Sequence, residues 1–444
     1  MASIGCALSR IKGELEQWID QKLVEQSCRE ADYRWRKRKL HPLSSVHLLM
    51  LQLLAQVALR GLRHVAQLPI SAQAICAARM RLPLVVMFSL VRQVCRNLCG
   101  IETESPWNGH RVLLADAMSF LTPDTPELAK RYGKASNQHG KSCSYPVPKL
   151  LAMLDLGSGL ISQVIALPHA RQERTCLVRL LSYLKSGDLL LADRGFAGFA
   201  QLAMMMSAGV HGCMRLPRWL AVIGRGKANH RRIRKLGKND LLVRWIRSAR
   251  PVGWMSKKKW ALLPAELTLR QIHLRIKKPG FRDQWLRVIT TLLDPEKYPA
   301  QQIIDLYARR WQVEVYFRDM KRTLGMKQMR SRTVEGVRKE ICAFVLLYNL
   351  IRQVMRESAA LMDVSADRVS FIDATRWLLW SPPDAKLGAT SDTALGRLII
   401  NPRRRRKPQP RMLKRGRRKY PLMRKPRWQL QAELQRPMQM ISLS

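Results

Sequence analysis

Between residues 111 and 216 the chain is organised as short apolar runs, and two of them end on a carboxylate: Arg111-Val-Leu-Leu-Ala-Asp116 and Asp188-Leu-Leu-Leu-Ala-Asp193. Brief apolar runs bounded by turn residues are what a buried strand requires. Two more strand candidates, Pro148 to Leu156 and Leu160 to Leu167, flank Gly157-Ser158-Gly159, which reads as the hairpin turn between them. Helical spacing over Glu173 to Lys185 and Gly198 to Ala208, and a strand at Gly212 to Leu216, complete the order. Three strands, helix, strand, helix, strand specifies an α/β sheet with an antiparallel start. In open sheets of this kind ligands converge outside strand ends, where Asp116 and Asp193 lie.

A second pattern follows a strand candidate at Trp285 to Leu293. The segment Ala300 to Leu324 has helical character, and in it Tyr307, Arg310, Glu314 and Lys321 are spaced by three, four and seven. On a regular α-helix these positions fall within an arc of roughly 60°. One phenol, two cations and one carboxylate then share a stripe, in which Glu314 stays ionised and the cations can hold phosphate oxygens. Taken alone, such charges are more often a solvated helix face with intrahelical ion pairs. Likewise a strand-terminal Asp is more often a turn or cap residue than a ligand. Asp116, Asp193 and Glu314 together, however, supply the three hard oxygen donors that Mg²⁺ accepts while keeping water and substrate phosphates in its other positions. Two such ions, roughly 3.5 to 4 Å apart, suit an in-line displacement at phosphorus. This reading requires the three carboxylates, remote in sequence, to meet.

Charge narrows the partner. Lysine and arginine total 79 against 32 acidic residues, a formal charge of +47. The natural partner of so basic a chain is a polyanion. No secretory signal or uninterrupted apolar span of about 20 residues is evident, and Val46 to Leu59 reads as a core helix. The expectation is a cytoplasmic protein not associated with membrane. Nine scattered cysteines without paired Cys-x-x-Cys knuckles read as reduced thiols.

Around this core, Leu8 to Leu98 shows helical spacing broken at His41-Pro42, Leu68-Pro69 and Leu82-Pro83, and reads as packed helices. Within it Tyr33-Arg-Trp-Arg-Lys-Arg-Lys39 interleaves aromatic and cationic residues, which suits either nucleic-acid contact or a solvated helix edge. Residues 218 to 280 hold 18 Lys or Arg, two acidic residues and four tryptophans. They read as a basic β-rich insertion lying along DNA, with most of the indoles in its core. Val334 to Leu361 is a long helix, and the Arg-rich tail beyond Pro402 reads as disordered until it meets nucleic acid. The expected divisions are 1–103, 104–217, 218–280, 281–365 and 366–444.

These motifs resemble the DDE transposases of bacterial insertion sequences, in particular the IS-four group. The signature Tyr-x2-Arg-x3-Glu-x6-Lys is complete in Tyr307, Arg310, Glu314 and Lys321, with Leu-Leu-Ala-Asp116-Ala-Met-Ser and Asp193-Arg-Gly-Phe196 ahead of it. The match spans about residues 107 to 350. The resemblance implies an α/β fold with an RNase H-like catalytic core carrying a β-rich insertion, preceded by an all-α N-terminal DNA-binding domain. It implies catalytic and metal-binding roles for Asp116, Asp193 and Glu314, with two Mg²⁺ ions for which Mn²⁺ can substitute. Tyr307, Arg310 and Lys321 would contact DNA phosphate. The implied activity is cleavage at element ends and transfer of the 3′-hydroxyl into target DNA, by a homodimer in a synaptic complex. Some relatives hold an extruded base with a tryptophan; Trp285 stands at a comparable place, although core packing is the stronger expectation for it. Two other functions fit parts of the sequence. A non-catalytic basic nucleic-acid-binding protein accounts for the charge, and an RNase H-fold nuclease without strand transfer accounts for the carboxylates.

Overall fold

The computed structural model describes residues 19–36, 38–100, 106–136, 142–222, 226–227, 229–276, 284–380 and 398–401. The Arg-rich tail and the first 18 residues lie outside them. Among the described residues five helices come first: α1 (Gln21–Glu30), α2 (Pro42–Leu54), α3 (Leu59–Ala66), α4 (Ala72–Arg81) and α5 (Leu84–Gly100). Proline sets one of their boundaries directly, since Pro42 opens α2, where its missing N–H costs nothing. Almost all of α2 is buried, as expected of a core helix.

The strands are β1 (Val112–Ser119), β2 (Lys134–Ser136), β3 (Ser142–Pro146), β4 (Lys149–Asp155), β5 (Ile161–Leu167), β6 (Leu189–Ala192), β7 (His211–Arg215), β8 (Gly226–Lys227), β9 (His230–Gly237), β10 (Asp240–Ile246), β11 (Glu266–Ile276) and β12 (Gln284–Thr290). Ten of them form one sheet in the order β5-β4-β1-β6-β7-β12-β11-β10-β9-β8. The expected three-stranded meander is present as β1, β4 and β5, each antiparallel to its neighbour, and β6 and β7 then run parallel to β1. Residues 126–146, the short helix α6 (Pro126–Tyr132) and the β2–β3 hairpin, intervene between β1 and β4. The basic insertion is β-rich as expected, and it extends the core sheet through the antiparallel pairing of β12 with β7.

Alternation along the strands builds two cores, one on each sheet face. On β1, Leu114 and Met118 join the core that contains the N-terminal helices, while Leu113 and Ala115 join the opposite one. On the second side lie α7 (Glu173–Leu177) and α8 (Phe199–Ser207), with Trp245 and Trp260 of the insertion buried there too. Trp254 is half-buried and Trp219 is exposed, so core packing describes most of the four indoles. The helix expected over Glu173 to Lys185 is interrupted: α7 ends at Leu177, and a 3₁₀ turn covers Leu181–Tyr183. After α9 (Lys257–Ala261) in the insertion, the signature segment begins.

That segment is not one regular helix. It comprises α10 (Ala300–Ala308), a 3₁₀ turn (Arg309–Trp311), α11 (Gln312–Arg318) and a π-turn (Asp319–Thr323), and ends ahead of Gly325, whose φ is +80°. Uniform spacing of 100° per residue therefore fails on both sides of Glu314. The long α12 (Val334–Leu361) matches its expected bounds and packs against α2 and α5, and α13 (Phe371–Trp380) follows.

Candidate active site

Sheet register brings the two aspartates together. Ala115 is paired with Ala192 across the parallel β1 and β6 strands, so Asp116 and Asp193 are the next residues on strands about 4.8 Å apart. Asp116 projects to the face of Leu114 and Met118, where Tyr307 and Val313 also pack. Asp193 ends its strand and opens the turn Asp193-Arg-Gly-Phe196, closed by the Phe196 amide donating to the Asp193 carbonyl at 2.9 Å and anchored by the buried Phe196 ring.

Arg310 lies between the carboxylates. Its Nη1 donates to Asp116 Oδ2 at 3.3 Å, and its Nη2 is 3.9 Å from Asp193 Oδ1. The guanidinium is buried and lies over two rings, 5.9 Å from Tyr307 and 5.4 Å from Trp311. Tyr307 is buried as well, and its hydroxyl donates to the carbonyl of Ala192 at 3.2 Å, fixing the strand end that carries Asp193. Burial pushes the Asp116 carboxyl up to about 6, against the opposing pull of the Ala117 amide and Arg310. Its Oδ1 accepts from that amide at 2.8 Å. Asp193 Oδ1, in contrast, is a buried oxygen that accepts no hydrogen bond among the described residues. Two hard carboxylates, one with an uncommitted buried oxygen, fit a divalent cation.

The other signature residues sit differently. Glu314 lies one turn beyond Arg310 on α11, which packs against β1. Its side chain is exposed and makes no hydrogen bond or ion pair among the described residues. Among those residues no three His, Cys, Asp or Glu side chains gather into a metal-holding group. The structure therefore brings Asp116 and Asp193 together and leaves Glu314 outside that pair. Lys321 is half-buried within the π-turn, and desolvation lowers its pKa. Trp285 is 40% exposed on β12 with the Arg287 guanidinium 5.8 Å from its ring, so it does not pack in the core as expected. Arg287, two residues on and on the same strand face, was the available signal that this face is polar.

The family model of the transposase DDE domain matches residues 107–350, more than half of the chain. The chain belongs to the DDE transposases. Over 326 residues this transposase is 27% identical to the transposase InsG for insertion sequence element IS4 of Escherichia coli strain K12, covering 71% of the chain and 70% of that relative. It is also 27% identical over 152 residues to a putative transposase InsZ of the same strain, 34% of the chain and 50% of the relative. These relatives make it a transposase of the IS4 type. Among solved structures, a piggyBac transposase synaptic complex with hairpin DNA aligns over 86% of this chain and 80% of that one, at 10% identity and a TM-score of 0.43.

The transposase also contains a network, anchored on the buried Arg352, that no motif announces. Arg352 on α12 donates through Nε and Nη2 to the Ser158 carbonyl, at 3.2 and 2.6 Å, and through Nη2 to Asp367 Oδ1 at 3.1 Å. Asp367 in turn accepts from Gln312 Nε2 at 3.0 Å and from the Tyr316 hydroxyl at 3.1 Å. Gln312 and Tyr316 stand two residues either side of Glu314, so Asp367 fixes α11 through both its carboxylate oxygens.

Proposed function

We propose that this transposase cuts DNA at the ends of an insertion sequence and joins the freed 3′-hydroxyl to target DNA, using a divalent metal. The observation that carries the reading is the pairing of Ala115 with Ala192, which sets two carboxylates side by side with a signature arginine between them. Asp116 and Asp193 would hold the ion, Mg²⁺ or Mn²⁺; Glu314, exposed on α11 and outside that pair, would have to turn in to supply a third oxygen. A bound ion would polarise the scissile phosphate and favour deprotonation of the attacking oxygen. The attacking water or 3′-hydroxyl forms a new bond to phosphorus, and the bond to the departing 3′-oxygen breaks. Tyr307 holds the end of β6 in place through the Ala192 carbonyl, while Arg310 and Lys321 supply positive charge for phosphate oxygens. The order β5-β4-β1-β6-β7, antiparallel on one side of β1 and parallel on the other, supports an RNase H-like core, with 218–280 as its insertion and 1–103 as a DNA-binding region. Two element ends must be joined, which favours a homodimer working on the bacterial nucleoid. No single helix among the described residues is long and apolar enough to cross a membrane.

Glu314→Gln tests the assignment: cleavage of a duplex carrying the element end should fall by at least about 100-fold while binding of that duplex persists. Undiminished cleavage would remove Glu314 from the site. Pre-cut ends offered with a plasmid separate strand transfer from simple hydrolysis, since only a transposase inserts them.

A further inference from the structure

The segment Tyr33–Arg36, which follows α1 outside any helix or strand, is not used by the site described above. Its alternation has a clear consequence. Tyr33 and Trp35 turn inward, half-buried against the helical core, and their rings stack with centroids 6.4 Å apart and planes at 27°. Arg34 and Arg36 turn outward and are exposed. Beside the two rings opens a cavity of about 270 Å³, which Arg34, Arg36 and Arg38 line from one side and Arg81, at the end of α4, from another. None of its lining residues is acidic, and none of these four guanidinium groups forms an ion pair among the described residues. A second cavity of about 340 Å³ adjoins the same Tyr33–Trp35 segment.

Four unpaired cations around one small cavity repel each other, and an anion relieves that repulsion. Guanidinium forks match phosphate oxygens, and an indole face accepts any base by stacking. The volume lies at the small-ligand end of the range, too confined for a duplex. We propose that this cavity is a binding site for one unpaired nucleotide of a DNA strand, its base against Tyr33 and Trp35 and its phosphate among Arg34, Arg36 and Arg81. The site rests on the reading of the protein as a DNA-acting transposase and lies apart from the carboxylate pair in sequence and in lining. The region is tied to the catalytic half through Lys339 of α12, whose Nζ donates to the carbonyls of Arg79 and Met80 at 3.0 and 3.1 Å.

The test uses the full chain in EDTA, so that cleavage plays no part. Fluorescence anisotropy follows binding of a labelled ten-residue oligothymidylate and of a labelled 20-base-pair duplex over a range of NaCl. The triple variant R34Q/R36Q/R81Q alters only exposed side chains and should keep the wild-type melting temperature. It should weaken the single strand about tenfold or more and flatten its salt slope by about two, while duplex affinity changes less than about threefold. Trp35→Phe should weaken the single strand with the salt slope unchanged. Unchanged single-strand affinity in the triple variant would overturn the site. So would an equal loss for strand and duplex, or competition by poly-glutamate as strong as by unlabelled oligothymidylate, because either marks charge without a nucleotide pocket. If the wild-type chain bound neither DNA, the transposase reading itself would fail, a different outcome from a null effect of the variants.

Discussion

Substituting Gly159 by alanine probes the network that holds the signature helix. Gly159 has φ +71°, and a Cβ there would lie 2.6 Å from Arg352 Cζ and 2.8 Å from Nε, also colliding with Nη2. The guanidinium must then leave the Ser158 carbonyl and Asp367, to which it donates from a position only 2% exposed. A left-handed alanine costs about 1–2 kcal/mol, and each hydrogen bond lost by a charged group costs about 1.5–3 kcal/mol. With two partners lost, the Ser158 carbonyl and Asp367, the expected destabilisation is about 4–8 kcal/mol, a large share of the roughly 5–15 kcal/mol that holds a domain together. Gly187 supplies the control, since its φ is +89° and nothing lies within 4 Å of an added Cβ. G187A should show the backbone cost alone, and the difference between the two variants in urea unfolding isolates the displaced arginine. Equal costs for G159A and G187A would refute the coupling between the β4–β5 turn and α12. Because Asp367 also holds Gln312 and Tyr316, G159A should reduce end cleavage beyond what lost stability explains.

Arg310→Gln should destabilise the protein by about 2–4 kcal/mol at pH 8, where Asp116 and Asp193 lose their shared cation, and by less at pH 5, where Asp116 can take a proton; equal losses at both pH values in melting experiments would argue against the bridge. Burial raises Asp319 from the ordinary carboxylate value to about 6, with Arg318 and Arg352 pulling the other way. The folded state then holds a proton that the unfolded chain releases, so stability falls as pH rises from about 4 through 6. D319N should accordingly gain about 1–3 kcal/mol at pH 8 and nothing near pH 4, and a loss at pH 8 would contradict the burial argument. Arg270 is wholly buried, with Nε 2.9 Å from Asp240 Oδ1 and Nη1 2.7 Å from the Tyr298 carbonyl. R270A should cost about 3–5 kcal/mol by stranding Asp240, and a cost below about 1 kcal/mol would mean that the pair is solvated.

What was legible in the sequence follows the range of the interactions involved. β1, β4 and β6 were readable because both faces of each are covered, so Leu-Leu-rich runs mark them locally. The same runs ended on Asp116 and Asp193, and a parallel register between them was enough to make them neighbours. The breaks at Arg309–Trp311 and Asp319–Thr323 were not readable, because nothing in residues 300–324 disfavours a continuous helix and the departures answer to tertiary packing. Nor was the burial of Arg310, since a cation at helical spacing looks the same whether it faces solvent or two carboxylates. Arg352, Asp367 and Ser158 are separated by up to about two hundred positions, and such a network has no local signature. The fusion of the insertion with the core sheet likewise depends on long-range pairing, of β11 with β12 and of β12 with β7 at Val288 to Arg215 and its neighbours.

That fusion bears on where the polyanion is felt. β9 lies near the outer edge of the sheet, paired along its length on one side and, among the described residues, only at His230 and Arg231 on the other. Its residues Arg231, Arg232, Arg234 and Lys235 are all exposed, so cations leave both faces of the strand. Guarding an open edge against aggregation accounts for one or two such charges; four in five positions, on a chain of net +47, exceed that need and suit a phosphate backbone. From β9 the path inward is continuous sheet to β12 and β7, and Arg270 adds a second link by donating to the carbonyls of Asp294 and Tyr298 just ahead of α10. A strand of DNA held on the insertion would thereby be referenced to the same sheet that sets Asp116 beside Asp193. Positional accuracy at the carboxylates then requires no separate device in the insertion.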